Sequence, residues 1–191
     1  MKSSFLALSL LLAAGIAVAA PATYTIEPHH TYPSFEADHM GGMSVWRGKF
    51  RTSSGIVKLD TAEHSGEVGI TIDVGSIDFG YDKLNEHAKS ADMFDVAKYP
   101  TATYKGRFTK FTGDVPAEVD GELMLHGVTK PVTLVINSFK CNIHPMLKKQ
   151  FCGADASASL NRDDFGVPYG KDYGFSMVVK LAIQVEAIKA D

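Results

Sequence analysis

Between Val119 and Ile136 the chain reads VDGELMLHGVTKPVTLVI, two runs of alternating character joined by a short turn. Val119, Leu123 and Leu125 fall on one face, and Glu118, Asp120 and Glu122 on the other. After the turn Val132, Leu134 and Ile136 resume the two-residue period. Successive side chains of a strand alternate faces, so this pattern sets one buried face against one wet face. His126-Gly127 supplies the turn, and Pro131 stands at the start of the second strand, where a missing N–H is tolerated. A chain that repeats such ribbons along most of its length has to close them into a sandwich or a barrel. A barrel has an interior.

The pattern does recur. Tyr24 to Ile26, Ser34 to His39, Val45 to Val57 and Thr103 to Thr109 read as strands, and Val68, Ile70, Ile72 and Val74 alternate cleanly. Ala154, Ala156 and Ala158 alternate against Asp155, Ser157 and Ser159. The last strand runs from Phe175 to Ala187 with Met177, Val179, Leu181, Ile183 and Val185 on one face. One segment breaks the period: Asp82 to Phe94 (DKLNEHAKSADMF) lacks Gly and Pro, is rich in helix formers and has a preceding aspartate able to cap. The expectation is all-β: a single antiparallel barrel of about eight strands, with one short helix near a barrel end.

The first residues read as a secretory signal peptide over 1–19: Lys2, an apolar run from Phe5 to Leu12, and Ala17-Val18-Ala19 as the cleavage site. That ending, with a strand following at once, favours cleavage over a retained anchor. The mature domain is then 20–191, periplasmic or secreted, with no stable membrane anchor. Without Lys2 it carries 18 basic and 22 acidic residues. No basic stripe is present, which argues against a nucleic-acid partner. The two cysteines, Cys141 and Cys152, form an even pair in an oxidising compartment and are expected to bridge.

Small residues interrupt otherwise bulky faces. Gly106 lies between Tyr104 and Phe108, Gly121 between Val119 and Leu123, and the Ala154 row is small throughout. Such glycines mark either bends at barrel corners or room for a ligand. Three such places in different strands favour a cavity. Its lining is expected from Phe35, Tyr104, Phe108, Leu123, Leu134, Met177, Val179 and Leu181, with Met40, Met43 and Met93 as an adaptable mouth.

Four segments together resemble the YceI-like family of exported, lipid-binding proteins with a lipocalin-like barrel. They are YTIEPHHTYPSFEADHMG (Tyr24 to Gly41), LNEHAKSADMFDVAKYP (Leu84 to Pro100), the hairpin GELMLHGVTKPVTL, and NRDDFG (Asn161 to Gly166). The chain departs from the family in having Glu27-Pro28 for Asp-Pro, Thr31 for Ser, and Pro33 for a β-branched residue. Its helix carries Leu84, Asn85, His87 and Ala88 in place of Arg-Asp-x-His-Leu, which removes the Arg–Asp pair of a polar clamp. The resemblance implies non-catalytic binding of an isoprenoid quinone, a polyprenyl lipid or a fatty acyl chain inside the barrel, as carrier, store or sensor. It implies no cofactor beyond such a ligand, and it leaves room for a homodimer.

Of the seven histidines, His30, His39 and His87 match family positions and are read as a hydrogen-bonding cluster at the barrel end. No H-x-x-x-H or H-E-x-x-H spacing points to a metal. No G-x-S-x-G points to a nucleophile, and Asp163-Asp164 read as turn formers. Arg162 is expected to reach a carboxylate or backbone carbonyls. Two alternatives remain at this point: a periplasmic enzyme acting on a lipid-like substrate through pocket histidines, and a stress-related scaffold with a filled barrel and a protein partner.

Overall fold

The computed structural model describes residues 21–191; the expected signal peptide over 1–19 lies outside the described residues. Eleven strands and one helix follow in chain order: β1 Ala22–Ile26, β2 Tyr32–His39, β3 Ser44–Phe50, β4 Ser53–Asp60, β5 Ser65–Asp73, β6 Ile77–Asp78, α1 Asp82–Lys89, β7 Thr101–Thr112, β8 Val115–Leu125, β9 Val128–Ile143, β10 Gln150–Asn161 and β11 Val178–Lys189. The hairpin of β8 and β9 turns at His126 and Gly127, both with positive φ, as the alternation predicts.

Eight strands close a ring in the order β1-β4-β5-β7-β8-β9-β10-β11, and β11 returns to β1. Every pairing is antiparallel. The closing ladder is short: Tyr24↔Lys189, Thr25↔Ile188 and Ile26↔Ala187. Further along the same edge, β11 pairs with β2 from Gln184↔Tyr32 to Val179↔Ala37. β1 and β2 therefore share one edge of β11, and the ribbon of β2, β3 and β6 flares away from the ring at one end.

The chain has to break at Glu27–Thr31 to make this arrangement, and the break would strand backbone groups of β11. Thr31 resolves it. Its hydroxyl accepts from the Glu186 N–H and donates to the Glu186 carbonyl, both at 3.1 Å, and the residue is only 2% exposed. The Glu27 N–H also donates to that carbonyl, at 2.9 Å. Buried polar groups need such partners.

Two expectations are corrected. The single strand expected from Val45 to Val57 is two strands, parted at Arg51 and Thr52. The Arg51 N–H bonds the Ser76 carbonyl and the Thr52 N–H the Ser76 hydroxyl, which carries the chain from the flared ribbon into the ring. The helix ends at Lys89 rather than Phe94, and no aspartate caps it; Tyr81 holds the cap position without a side-chain bond. Ser90 closes the last turn on the His87 carbonyl, and the Phe94 N–H folds back to Ala88. Asn85 ties the helix to β6: its amide accepts from the Phe79 N–H and donates to Asp78. Ala88, fully buried, faces Phe35, Phe50 and Val74 in the core beneath the helix.

Cys141 and Cys152 are directly paired across β9 and β10 and form the disulfide. Closing a loop with a sequence separation of 11 is worth about 3 kcal/mol on the chain-entropy account. The ring does not need the bond to form its ladders. The double variant Cys141→Ala/Cys152→Ala is expected to keep its strand content by circular dichroism and to lose about 3 kcal/mol in denaturant unfolding.

Candidate ligand cavity

The inward faces of the strands enclose a cavity of about 480 Å³, within the range of small-molecule sites. Each wall is a row at the two-residue period: Val179, Leu181, Ile183 and Val185 from β11, Ala154 and Ala156 from β10, Leu134 and Ile136 from β9, and Val68, Ile70 and Ile72 from β5. Of the residues expected as lining, Phe35, Tyr104, Phe108, Leu123, Leu134, Val179 and Leu181 all face the cavity. Met177 does not. It stands just before β11, whose ladder starts at Val178 opposite Asn161; its carbonyl accepts from the Arg162 N–H at 2.9 Å, and the Ser176 N–H before it bonds Asp38. Phe175 takes that place at the rim. Met93 also lines the cavity, whereas Met40 and Met43 project from the β2–β3 turn into solvent.

The glycines do not supply the space. Gly106 and Gly121 face each other across β7 and β8, and the Tyr104 ring lies over them. A Cβ on Gly121 would stand 2.6 Å from the Tyr104 ring and 2.5 Å from the Lys105 carbonyl; one on Gly106 would stand 2.7 Å from Val119. Tyr104 thus reaches across β8, and its hydroxyl donates toward the carbonyls of Val119 at 3.1 Å and Val132 at 2.9 Å. Burial pushes the phenol from 10.0 up to about 12, with the negative charge of Asp120 adding to it. Ala154 and Ala156 of the small row on β10 line the cavity, whereas neither glycine does.

One end of the cavity is polar. Asp38, His39, His87, Arg162 and Tyr169 meet there, with Trp46 and Phe175 between them. Arg162 donates to the carbonyls of Val167 at 2.7 Å and Tyr169 at 2.6 Å, fastening the loop that precedes β11. Desolvation lowers its pKa, against the pull of Asp163 and Asp38. The Asp38 carboxylate accepts from the N–H groups of Ser176, Gly42 and Gly41 and is held below its ordinary range, the Ser176 bond contributing most. It stitches the β2–β3 turn to the same loop.

His39 sits between Trp46 and Phe175, ring centroids 5.5 and 5.3 Å away. His87 meets Tyr169 edge-on at 4.6 Å, and its Nε2 is buried without a hydrogen-bond partner. His30 is elsewhere. It lies outside the barrel wall at the chain break, its Nδ1 2.6 Å from Glu27 and 3.8 Å from Glu186. The expected trio of histidines is therefore a pair, because His30 precedes β2 and His39 ends it. No group of three or more side chains able to hold a metal occurs among the described residues.

Sequence reasoning missed Asp38, Trp46 and Tyr169. For Asp38 a pointer existed: an aspartate three and four residues before Gly41-Gly42 suits an Asx-type turn. Nothing local marks Tyr169, which the loop of 162–177 brings to the site. Arg162 reaches carbonyls, one of the two partners expected for it.

A YceI-like domain matches residues 24–187 of the chain. The UPF0312 protein of Pseudomonas putida strain KT2440 is 34% identical over 198 residues, covering 99% of this chain and 98% of that protein. Protein YceI of Escherichia coli O157:H7 is 34% identical over 194 residues, covering 99% of each. Burkholderia cenocepacia BcnA shares the fold, with a TM-score of 0.68 at 22% identity over 84% of this chain and 98% of that one. So does a polyisoprenoid binding domain from Saccharophagus degradans, with a TM-score of 0.61 at 16% identity over 89% and 99%.

The buried phenol gives a pH test. Its folded pKa lies above its unfolded one, so its contribution to stability is whole below pH 10.0 and is lost as the pH rises toward about 12. The loss proceeds at up to about 1.4 kcal/mol per pH unit. Denaturant unfolding across that window is expected to show a steeper alkaline decline for the native protein than for Tyr104→Phe. At neutral pH the variant is expected to be about 1 kcal/mol less stable, having left two carbonyls without that donor.

Proposed function

This chain belongs to the YceI-like family, and we propose that it is an exported, non-catalytic protein that holds an isoprenoid or another long-chain amphipathic lipid within its barrel. The observation that carries the reading is the cavity itself: apolar strand rows over its length, ending in one polar cluster. Its volume lies within the range of sites that enclose small-molecule ligands. Each buried methylene contributes about 0.8 kcal/mol, so tail burial dominates affinity before the costs of association are met.

The head group is assigned to the polar end. The unpartnered His87 Nε2, with His39 and Arg162 beside it, suits a carbonyl or hydroxyl head group and sets the orientation of the tail. The export reading rests on the residue pattern of 1–19, and the Cys141–Cys152 bond is in keeping with an oxidising compartment. An open interior of this size speaks for a bound small molecule over a filled scaffold. An enzyme working through His39 or His87 would need a group to orient the base. The His39 Nδ1 has only the Ser44 hydroxyl at 3.5 Å, and His87 Nε2 has no partner.

Native mass spectrometry of the exported protein, followed by organic extraction, tests the proposal. A stoichiometric adduct of isoprenoid or acyl mass is expected; a bare mass that persists when quinones, polyprenyl lipids and fatty acids are offered would overturn it. Ala156→Phe, which fills the cavity beside β10, is expected to fold and to lose the adduct. His87→Leu is expected to keep an adduct and weaken its affinity about tenfold, the worth of one hydrogen bond.

A further inference from the structure

The β9–β10 hairpin lies far from the polar end of the cavity and has its own chemistry. From Leu123 to Ala154 the sequence has no aspartate or glutamate, although the chain holds 22 of them. Lys140, Lys148 and Lys149 gather at this hairpin. Its turn also carries Ile143, Met146 and Leu147, which are 58%, 81% and 52% exposed. Met146 is the most exposed large apolar side chain among the described residues.

The tip is fixed. The N–H groups of Met146 and Leu147 both donate to the His144 Nδ1, at 3.3 and 3.2 Å. The backbone of His144 bonds Lys148 and Lys149, at 2.9 and 2.8 Å, and its ring rests 5.3 Å from Phe151. The Cys141–Cys152 bond clamps the hairpin just below. Apolar side chains are thus held outward at a defined tip, ringed by lysines. Lys149 reaches Asp191 at 2.6 Å, while Lys140 and Lys148 make no ion pair among the described residues. The turns of β4–β5 and β7–β8 carry the acidic Glu63 and Asp114, and Asp155 and Glu186 line one groove with Lys140, so the positive charge of this end belongs to the turn at Lys148 and Lys149.

We propose that this tip docks the protein on an anionic lipid bilayer. Ile143, Met146 and Leu147 enter the interface, and Lys148 and Lys149 meet the anionic headgroups, the combination of apolar burial and basic charge that surface-bound proteins use. The β2–β3 turn also exposes Met40 and Met43, but it follows the acidic Asp38 and has no lysine or arginine between His39 and Trp46. Charge complementarity selects the β9–β10 tip. The inference rests on this hairpin and not on the cavity's ligand.

Co-sedimentation tests it, with the exported protein and vesicles of phosphatidylcholine alone or with about 30% phosphatidylglycerol. Binding to the anionic vesicles is expected, weakened by salt. Lys148→Gln is expected to lower partitioning about fivefold. Met146→Ser with Leu147→Ser is expected to lower it on the order of tenfold, with an unchanged melting temperature and the same extracted adduct mass. Equal binding to both vesicles, binding indifferent to the tip variants, or loss only on Met43→Ser would overturn the proposal. So would self-association without vesicles that Met146→Ser/Leu147→Ser abolishes, which would make the tip an interface between copies of the chain.

Discussion

The barrel closes through a ladder between its first and last strands, Tyr24↔Lys189 to Ile26↔Ala187, and the interior exists only because that ladder forms. An open sheet of the same strands would show its apolar rows to water. The closing ladder also joins the first and last strands of the described residues, so its loop-closure entropy has to be met by the neighbouring ladders. The edge of β11 has more to do than close the ring. It receives β1 along one part and β2 along another, and Thr31 bridges the gap between them by bonding both backbone groups of Glu186. A residue without a hydroxyl there would leave buried donors and acceptors unmet.

That geometry separates the cavity into parts with different work. Along the ring, side chains of β5, β9, β10 and β11 provide an apolar sleeve. At the flared end, β2, α1 and the loop before β11 contribute polar groups that are mostly engaged with the backbone: Asp38 on three N–H groups and Arg162 on two carbonyls. These hold the end in shape. His87 differs in leaving a buried nitrogen free of any bond, and a buried polar atom without a partner is costly unless something supplies one. In the proposed function the sleeve supplies the affinity and His87 the orientation.

Much of this was legible in the sequence because period-two alternation is a local property. The β8–β9 hairpin, the β11 row and the small wall of β10 can be read directly. What failed depended on partners distant in the chain. Gly106 and Gly121 look like space in one dimension, yet across the strand pair Val119 of β8 crowds Gly106 and the Tyr104 ring of β7 crowds Gly121. Met177 continues the spacing of β11, but the ladder starts only at Val178 and Phe175 rather than Met177 lines the rim. His30 and His39 bracket one strand and so end up well apart, which spacing alone conceals. The split of β3 from β4 depends on Ser76, and Tyr169 on an irregular loop.

Trp46, the single tryptophan of the chain, lines the polar end of the cavity beside His39. Its emission therefore reports on the interior without a label. The most direct measurement is a titration of delipidated protein with a short-chain isoprenoid quinone, a quencher, while Trp46 fluorescence is followed. The account predicts saturable quenching that ends at one quinone per chain and is displaced by an unquenching isoprenoid alcohol. Quenching that stays linear with quinone and is indifferent to the alcohol would mean that nothing enters the barrel, and would contradict it.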